Sequence, residues 1–152
     1  MLYEKWNEWI TAFEECFVNG EWEKLTDYLT EDCIYFVSGG PLAVELRGRD
    51  AVIRGLSESI KAFDLKFDKR DWQAGKVRVH EPNAITAVVV GTYEKKNYPV
   101  LRFGVDASWM FRGDKICLMT DCYDLGLADS ADSLEWLDRY GVELGVDASY
   151  DK

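Results

Sequence analysis

The chain carries a single histidine, His80, among its 152 residues, and its cysteines form no Cys-x-x-Cys pair. A zinc site draws on three or four imidazole and thiolate ligands, so no metal is expected. His80 precedes the Glu81-Pro82-Asn83 turn, where an exposed imidazole is the plain expectation. Only three prolines occur, with no linker, repeat or low-complexity stretch to mark a domain boundary. No apolar run approaches the ~20 residues that span a bilayer. The start, MLYEKWNEW, carries acids and tryptophans where a signal peptide needs a basic patch and an apolar stretch. The expected compartment is therefore the cytoplasm. Positive charge is scarce too: 18 Lys and Arg against 28 Asp and Glu give a net charge of -10. Such a balance repels phosphate backbones and anionic membrane surfaces, so neither nucleic acid nor membrane is an expected partner. A neutral or cationic small molecule fits the charge better. Cys16, Cys33, Cys117 and Cys122 each sit within a hydrophobic pattern and are expected to be buried, reduced thiols.

What is present is an apolar chain, 47% hydrophobic and 14% aromatic, able to bury one substantial core but hardly two. Tyr3, Trp6, Trp9, Ile10, Phe13, Cys16 and Phe17 recur at helical spacing, and Gly20 is placed to stop that helix as a left-handed cap. Trp22, Leu25, Tyr28 and Leu29 predict a second short helix that Thr30, Glu31 and Asp32 end. Cys33 to Val37 predicts a strand, followed by the turn Ser38-Gly39-Gly40-Pro41 and a loop to Arg47. Asp50 can cap a third helix with Val52, Ile53, Leu56, Ile60 and Phe63 on one face. The period then falls to 2, predicting strands over Lys76 to His80, Ala84 to Glu94, Pro99 to Phe111 and Lys115 to Asp124. Lys69-Arg70-Asp71 reads as a solvated strand face, and Gly39-Gly40 lacks the strand-to-helix setting of a phosphate loop. A last helix is expected from about Ser130 to Tyr140, ended by Gly141. Helices followed by a meander of antiparallel strands predict an α+β fold with the helices on one face of a curved sheet.

The ordered set of a first helix, the GEWEKL helix, the LTEDCIYF strand, the GRDAVI helix start and the closing hairpin WMFRGDKICLMTDCYD resembles the NTF2-like superfamily. Within it, the SnoaL-like and ketosteroid-isomerase-like branch is the most similar. The resemblance implies a cone: a curved, mostly antiparallel sheet wrapped around a pocket, closed by three N-terminal helices. It also implies one domain over 1–152, with 126–152 as a C-terminal helical extension. No cofactor is implied; an apolar small-molecule ligand and a homodimer through the outer sheet face are. Because the fold hosts isomerases, cyclases, dehydratases, epoxide hydrolases and plain binding modules, function must be argued from the site.

In the superfamily's steroid isomerases an aspartate base works with a tyrosine and a protonated aspartic acid. The base position falls on Val37 and the tyrosine on Phe13, so that mechanism is not expected here. The epoxide-hydrolase branch is similar at Asp121, but its arginine and second aspartate fall near Val90 and Thr92. A late-strand aspartate is also the acid-base group proposed for SnoaL-like cyclases, a role in which Asp121 fits. The resemblance, carried along the strand by alternation, implies that Met119, Asp121 and Tyr123 point into the pocket, where a lone carboxylate among apolar groups acquires a raised pKa. Tyr35 and Asp106 are its candidate catalytic partners, and Phe13, Phe17, Val37, Phe63, Trp109, Met119 and Tyr123 are candidate substrate contacts. Asp106 depends on register. A two-residue Gly113-Asp114 turn sets it opposite Asp121 as a carboxylate dyad. A three-residue turn sets Val105 there, with Phe103, Val105, Ala107 and Trp109 in the pocket and Asp106 outside; the apolar alternation favours this second register. Two functions remain open. One is a cofactor-independent lyase, isomerase or hydrolase acting on an apolar cyclic compound by general acid-base catalysis. The other is a non-catalytic ligand-binding or dimerisation module. An open pocket with Asp121 at its wall favours the first, a filled cone the second.

Overall fold

The structure, a computed structural model, describes residues 1–39, 43–123 and 130–146. Helix α1 (Leu2–Asn19) buries Leu2, Trp6, Trp9, Ala12 and Cys16 along one face. Gly20 ends it at φ 76°, its N–H bonded to the Cys16 carbonyl at 2.8 Å, as the spacing predicts. The second expected helix, Trp22–Tyr28, is a 3₁₀ run, tight enough to bury both Trp22 and Leu25 within seven residues. Helix α2 (Arg49–Ala62) starts after Gly48 rather than on an Asp50 cap, and a single 3₁₀ turn, Asp64–Lys66, follows.

One six-stranded sheet in the order β2-β1-β6-β5-β4-β3 forms the other layer. Its strands are β1 (Leu29–Ser38), β2 (Val44–Arg47), β3 (Lys69–His80), β4 (Ala84–Glu94), β5 (Leu101–Arg112) and β6 (Lys115–Tyr123). Strand β2 lies where a loop to Arg47 is expected, and β3 begins seven residues before Lys76. Gly40 and Pro41 of the expected turn, and Asp124 at the expected end of the last strand, lie outside the described residues. Every neighbouring pair is antiparallel except β1 with β6, which run parallel. Irregularities in β1, in β3 between Ala74 and Val77, and in β6 bend the sheet, since each unpaired residue kinks its strand and increases the local twist.

The β5–β6 hairpin combines features that the two expected registers keep apart. Its turn holds two residues, Gly113 and Asp114, because Arg112 pairs with Lys115. Phe111 then faces Ile116 but Met110 faces Leu118, so Cys117 bulges and the register slips by one. Asp121 therefore faces Ala107, and Asp106 faces Cys122. Phe103, Val105, Ala107 and Trp109 are buried on the concave face, as the apolar alternation requires. Cys16 and Cys33 are buried, Cys117 is half-buried and Cys122 is exposed on the outer face, so only two of the four free thiols are core residues. That outer face also exposes Phe36, Val88, Val90 and Met110.

The C-terminal helical run is longer than expected. It comprises α3 (Ser130–Trp136), a π-helical segment Leu137–Gly141 and α4 (Val142–Leu144). Gly141 keeps helical angles, φ -59° and ψ -45°, and it is Gly145 at φ 65° that ends the run. Trp136 anchors it, donating from Nε1 to the Pro99 carbonyl at 2.8 Å and meeting Phe67 and Tyr98 in tilted ring contacts. Among the described residues no helix is long and apolar enough to cross a membrane.

Candidate functional site

A cavity of about 420 Å³ lies between α1, α2 and the concave face of the sheet. Its walls are strongly aromatic: Trp6, Trp9 and Phe13 from α1 face Tyr35, Trp72, Tyr93, Phe103, Trp109 and Tyr123 from the strands, with Phe63 at the end of α2. Trp6 and Trp109 meet edge-on, their ring centroids 5.4 Å apart. A shallower hollow of about 410 Å³ between β5 and α3 is lined by Arg102, Asp132, Glu135 and Arg139, all exposed.

Two polar clusters enter the aromatic cavity. The first is formed where β1 and β6 run side by side, Tyr35 opposite Met119 and Val37 opposite Asp121. Tyr35 Oη donates to Asp121 Oδ2 at 2.5 Å. Burial pushes the Asp121 carboxyl up to about 6 from its ordinary 3.8, against the opposing pull of the Tyr35 hydrogen bond. A carboxyl poised there exchanges protons close to neutral pH, as general acid-base work requires.

The second cluster was not legible in the sequence. Arg70, expected on a solvated strand face, has a side chain only 9% exposed; its Nε donates to Asp64 Oδ2 at 2.6 Å and its Nη1 to Glu14 Oε2 at 3.0 Å. Tyr93 Oη also donates to Asp64 Oδ2, at 3.0 Å, and Trp72 Nε1 donates to Tyr93 Oη at 2.9 Å. The guanidinium lies over Phe17, 4.5 Å from the ring centroid. Burial pushes the Asp64 carboxyl upward, while Arg70 and Tyr93 hold it down. Burial, then the neighbouring Asp64, lifts the Tyr93 phenol well above its usual range, so Tyr93 stays a donor at any working pH.

Of the residues expected at the site, Asp121, Tyr35, Phe13, Phe63, Trp109, Met119 and Tyr123 line the cavity. Three do not. Asp106 is exposed on the opposite sheet face, because the Cys117 bulge and strand alternation turn it outward. Val37 is fully buried beneath the wall. Phe17, one turn past Phe13, serves as the platform under Arg70. His80 is exposed and meets Thr86 Oγ1 at 2.9 Å. Among the described residues no group of three or more His, Cys, Asp or Glu could hold a metal ion.

The cavity wall depends on Gly91, which pairs with Trp72 across β4 and β3. A Cβ there would lie 2.6 Å from Trp72 Cζ2. Gly91→Ala is expected to displace the indole, break its bond to Tyr93 and cost about 1–3 kcal/mol as overpacking does. A changed tryptophan emission maximum and a lower urea midpoint would register both effects.

No curated protein sequence matches the chain. Solved structures similar to it share its fold at low identity. An NTF2-like protein from Anabaena variabilis is 19% identical, with a TM-score of 0.64, covering 81% of this chain and 89% of that one. An LEH-like epoxide hydrolase from M. tuberculosis is 15% identical, with a TM-score of 0.60 and 92% of each chain covered. A protein with a ketosteroid isomerase-like fold from Catenulispora acidiphila, in complex with trimethylamine, is 17% identical with a TM-score of 0.59, covering 82% of this chain and 92% of that one. With the curved sheet, the aromatic cavity and a match to the SnoaL-like domain over residues 10–119 in hand, the chain belongs to the SnoaL-like family, with an NTF2-like α+β fold.

Proposed function

We propose that this protein is a cofactor-independent lyase, isomerase or hydrolase acting on an apolar cyclic small molecule, with Asp121 as the acid-base group. The observation that carries the reading is the 2.5 Å hydrogen bond from Tyr35 to Asp121 inside an open aromatic cavity of about 420 Å³. At neutral pH a carboxyl titrating near 6 is mostly ionised and takes a proton from the substrate or from a water; once protonated it returns that proton to the product or leaving group. Tyr35 acts as a positioning residue, fixing Oδ2 and leaving Oδ1 to the substrate. Phe13, Phe63, Trp109, Met119 and Tyr123 supply apolar contacts. An open cavity with Asp121 at its wall supports an enzyme over a non-catalytic binding or dimerisation module.

Titrating the Asp121 carboxyl by carbon NMR tests this. A midpoint near 6 supports the proposal, and one at or below about 3.9, the free-aspartate value, overturns it. Tyr35→Phe removes a bond that lowers the midpoint, so the variant is expected to titrate above 6. The acid limb of its rate profile should move to higher pH, with turnover down about tenfold.

The whole chain, 1–152, is proposed to be one domain, with 126–152 as its helical extension. Phe36, Val88, Val90 and Met110 on the outer sheet face support a homodimer through that face, since exposed apolar patches mark association sites. Phe36→Glu with Val90→Glu is expected to convert the dimer to monomer in light scattering, and a wild-type monomer at micromolar concentration would rule the interface out. Free thiols, two of them not buried, suit a reducing compartment such as the cytoplasm.

A further inference from the structure

We infer that the cavity selects a ligand bearing a positive charge, an ammonium or related organic cation on an apolar frame, over neutral or anionic molecules of the same shape. The inference rests on the cavity being the functional site, and it names the class of molecule that enters.

Charge carries the argument first. The charged groups lining the cavity are Glu14 from α1, Asp64 after α2, Arg70 and Asp71 from β3, and Asp121 from β6, while β5 contributes none. Asp71 is exposed, alternating with Arg70 and Trp72 onto the other strand face where Gln73 Nε2 bonds it, so three carboxyl groups, Glu14, Asp64 and Asp121, face one guanidinium that is already engaged by Asp64 and Glu14. The remaining titratable lining groups are the phenols Tyr35, Tyr93 and Tyr123, and burial holds that of Tyr93 in its neutral form. An entering anion meets an acidic excess, with no uncommitted cation among the described lining residues. An entering cation meets Asp121, which forms no ion pair with any described residue and whose hydrogen bond comes from the neutral Tyr35.

The walls supply the second argument. Ten aromatic residues line the cavity, and π-faces attract cations most strongly where water is excluded. The protein already uses this interaction beside the cavity: the Arg70 guanidinium sits 4.5 Å from the Phe17 centroid and 6.0 Å from that of Phe13, with carboxylates completing its shell. Around Asp121 the same ingredients, a carboxyl and aromatic rings, occur without the guanidinium.

The sign of the pH dependence follows. A cation favours ionised Asp121, so its affinity rises as the pH passes through about 6; an anion's falls over the same interval. Calorimetric titration with benzyltrimethylammonium, its uncharged carbon isostere neopentylbenzene, and phenylacetate, at pH 5 and pH 8, separates the cases. Expected is a preference for the cation of about tenfold or more over the isostere at pH 8, reduced severalfold at pH 5, with Asp121→Asn abolishing that pH dependence. Equal or tighter binding of neopentylbenzene or phenylacetate at pH 8 would overturn the inference while leaving the cavity a binding site. Failure of benzyltrimethylammonium to bind at millimolar concentration overturns it as well. Both outcomes are independent of the Asp121 titration, on which the acid-base proposal stands.

Discussion

Asp121→Asn is expected to lower turnover by about 10²–10⁴, the usual contribution of a positioned acid-base group, while making the protein more stable above pH 6. The two effects share one cause. The Asp121 carboxyl is pushed from 3.8 to about 6 by burial, so the folded protein holds that proton more tightly than the unfolded chain does. Its contribution to stability is complete below pH 3.8 and is lost as the pH rises through about 6. At about 1.36 kcal/mol per unit the loss has a ceiling of ~3 kcal/mol. Asparagine resembles the protonated acid and never ionises, so the variant escapes that decline. Urea denaturation at pH 5 and pH 8 should show wild type weakening with pH and the variant gaining up to ~3 kcal/mol on it at pH 8. Unchanged turnover sinks the mechanism. A variant that tracks wild type at both pH values sinks the assignment of the raised carboxyl.

The second large effect belongs to Arg70. Arg70→Met keeps an apolar stem against Phe17 but leaves the buried Asp64 with the neutral Tyr93 hydroxyl and no counter-charge, and is expected to cost about 3–5 kcal/mol at neutral pH, as breaking a buried pair does. Without the guanidinium, burial pushes Asp64 further up, so the variant's folded state favours the neutral acid. That preference is satisfied at low pH and lost as the pH rises through the new midpoint. The deficit against wild type should therefore grow between pH 5 and pH 8. Adding Asp64→Asn removes the stranded charge and should restore part of the loss, a coupling measurable as a double-mutant cycle. A single-variant cost below about 1 kcal/mol would place Arg70 among ordinary surface pairs.

The contrast between Arg70 and Asp121 shows what local sequence can and cannot carry. Asp121 was legible because it stands where the resembling family has a late-strand aspartate, with alternation carrying that face to Met119 and Tyr123. Arg70 stands between Lys69 and Asp71, a charged triplet that looks solvated. Its burial depends on Glu14, 56 residues away on α1, and on Asp64 in a 3₁₀ turn that carries no periodic signal. Asp106 turned on one bulged residue, Cys117, and bulges leave little trace in composition. Gly141 looked like a helix stop yet keeps helical angles, and the run ends at Gly145, since a glycine permits a left-handed angle without requiring it. Helices and strands follow from local pattern; long-range pairing and one-residue slips do not.

The parallel pairing of β1 with β6 has a consequence for how the protein comes into being. Tyr35 and Asp121 are 86 residues apart in the chain yet meet within one hydrogen bond. Every strand from β2 to β5 is synthesised between them, and closing so long a loop costs chain entropy that local contacts cannot offset. A chain emerging from the ribosome therefore makes its aromatic helix α1 well before β6 can bring Asp121 to Tyr35. The Tyr35–Asp121 pair exists only once the sheet is complete.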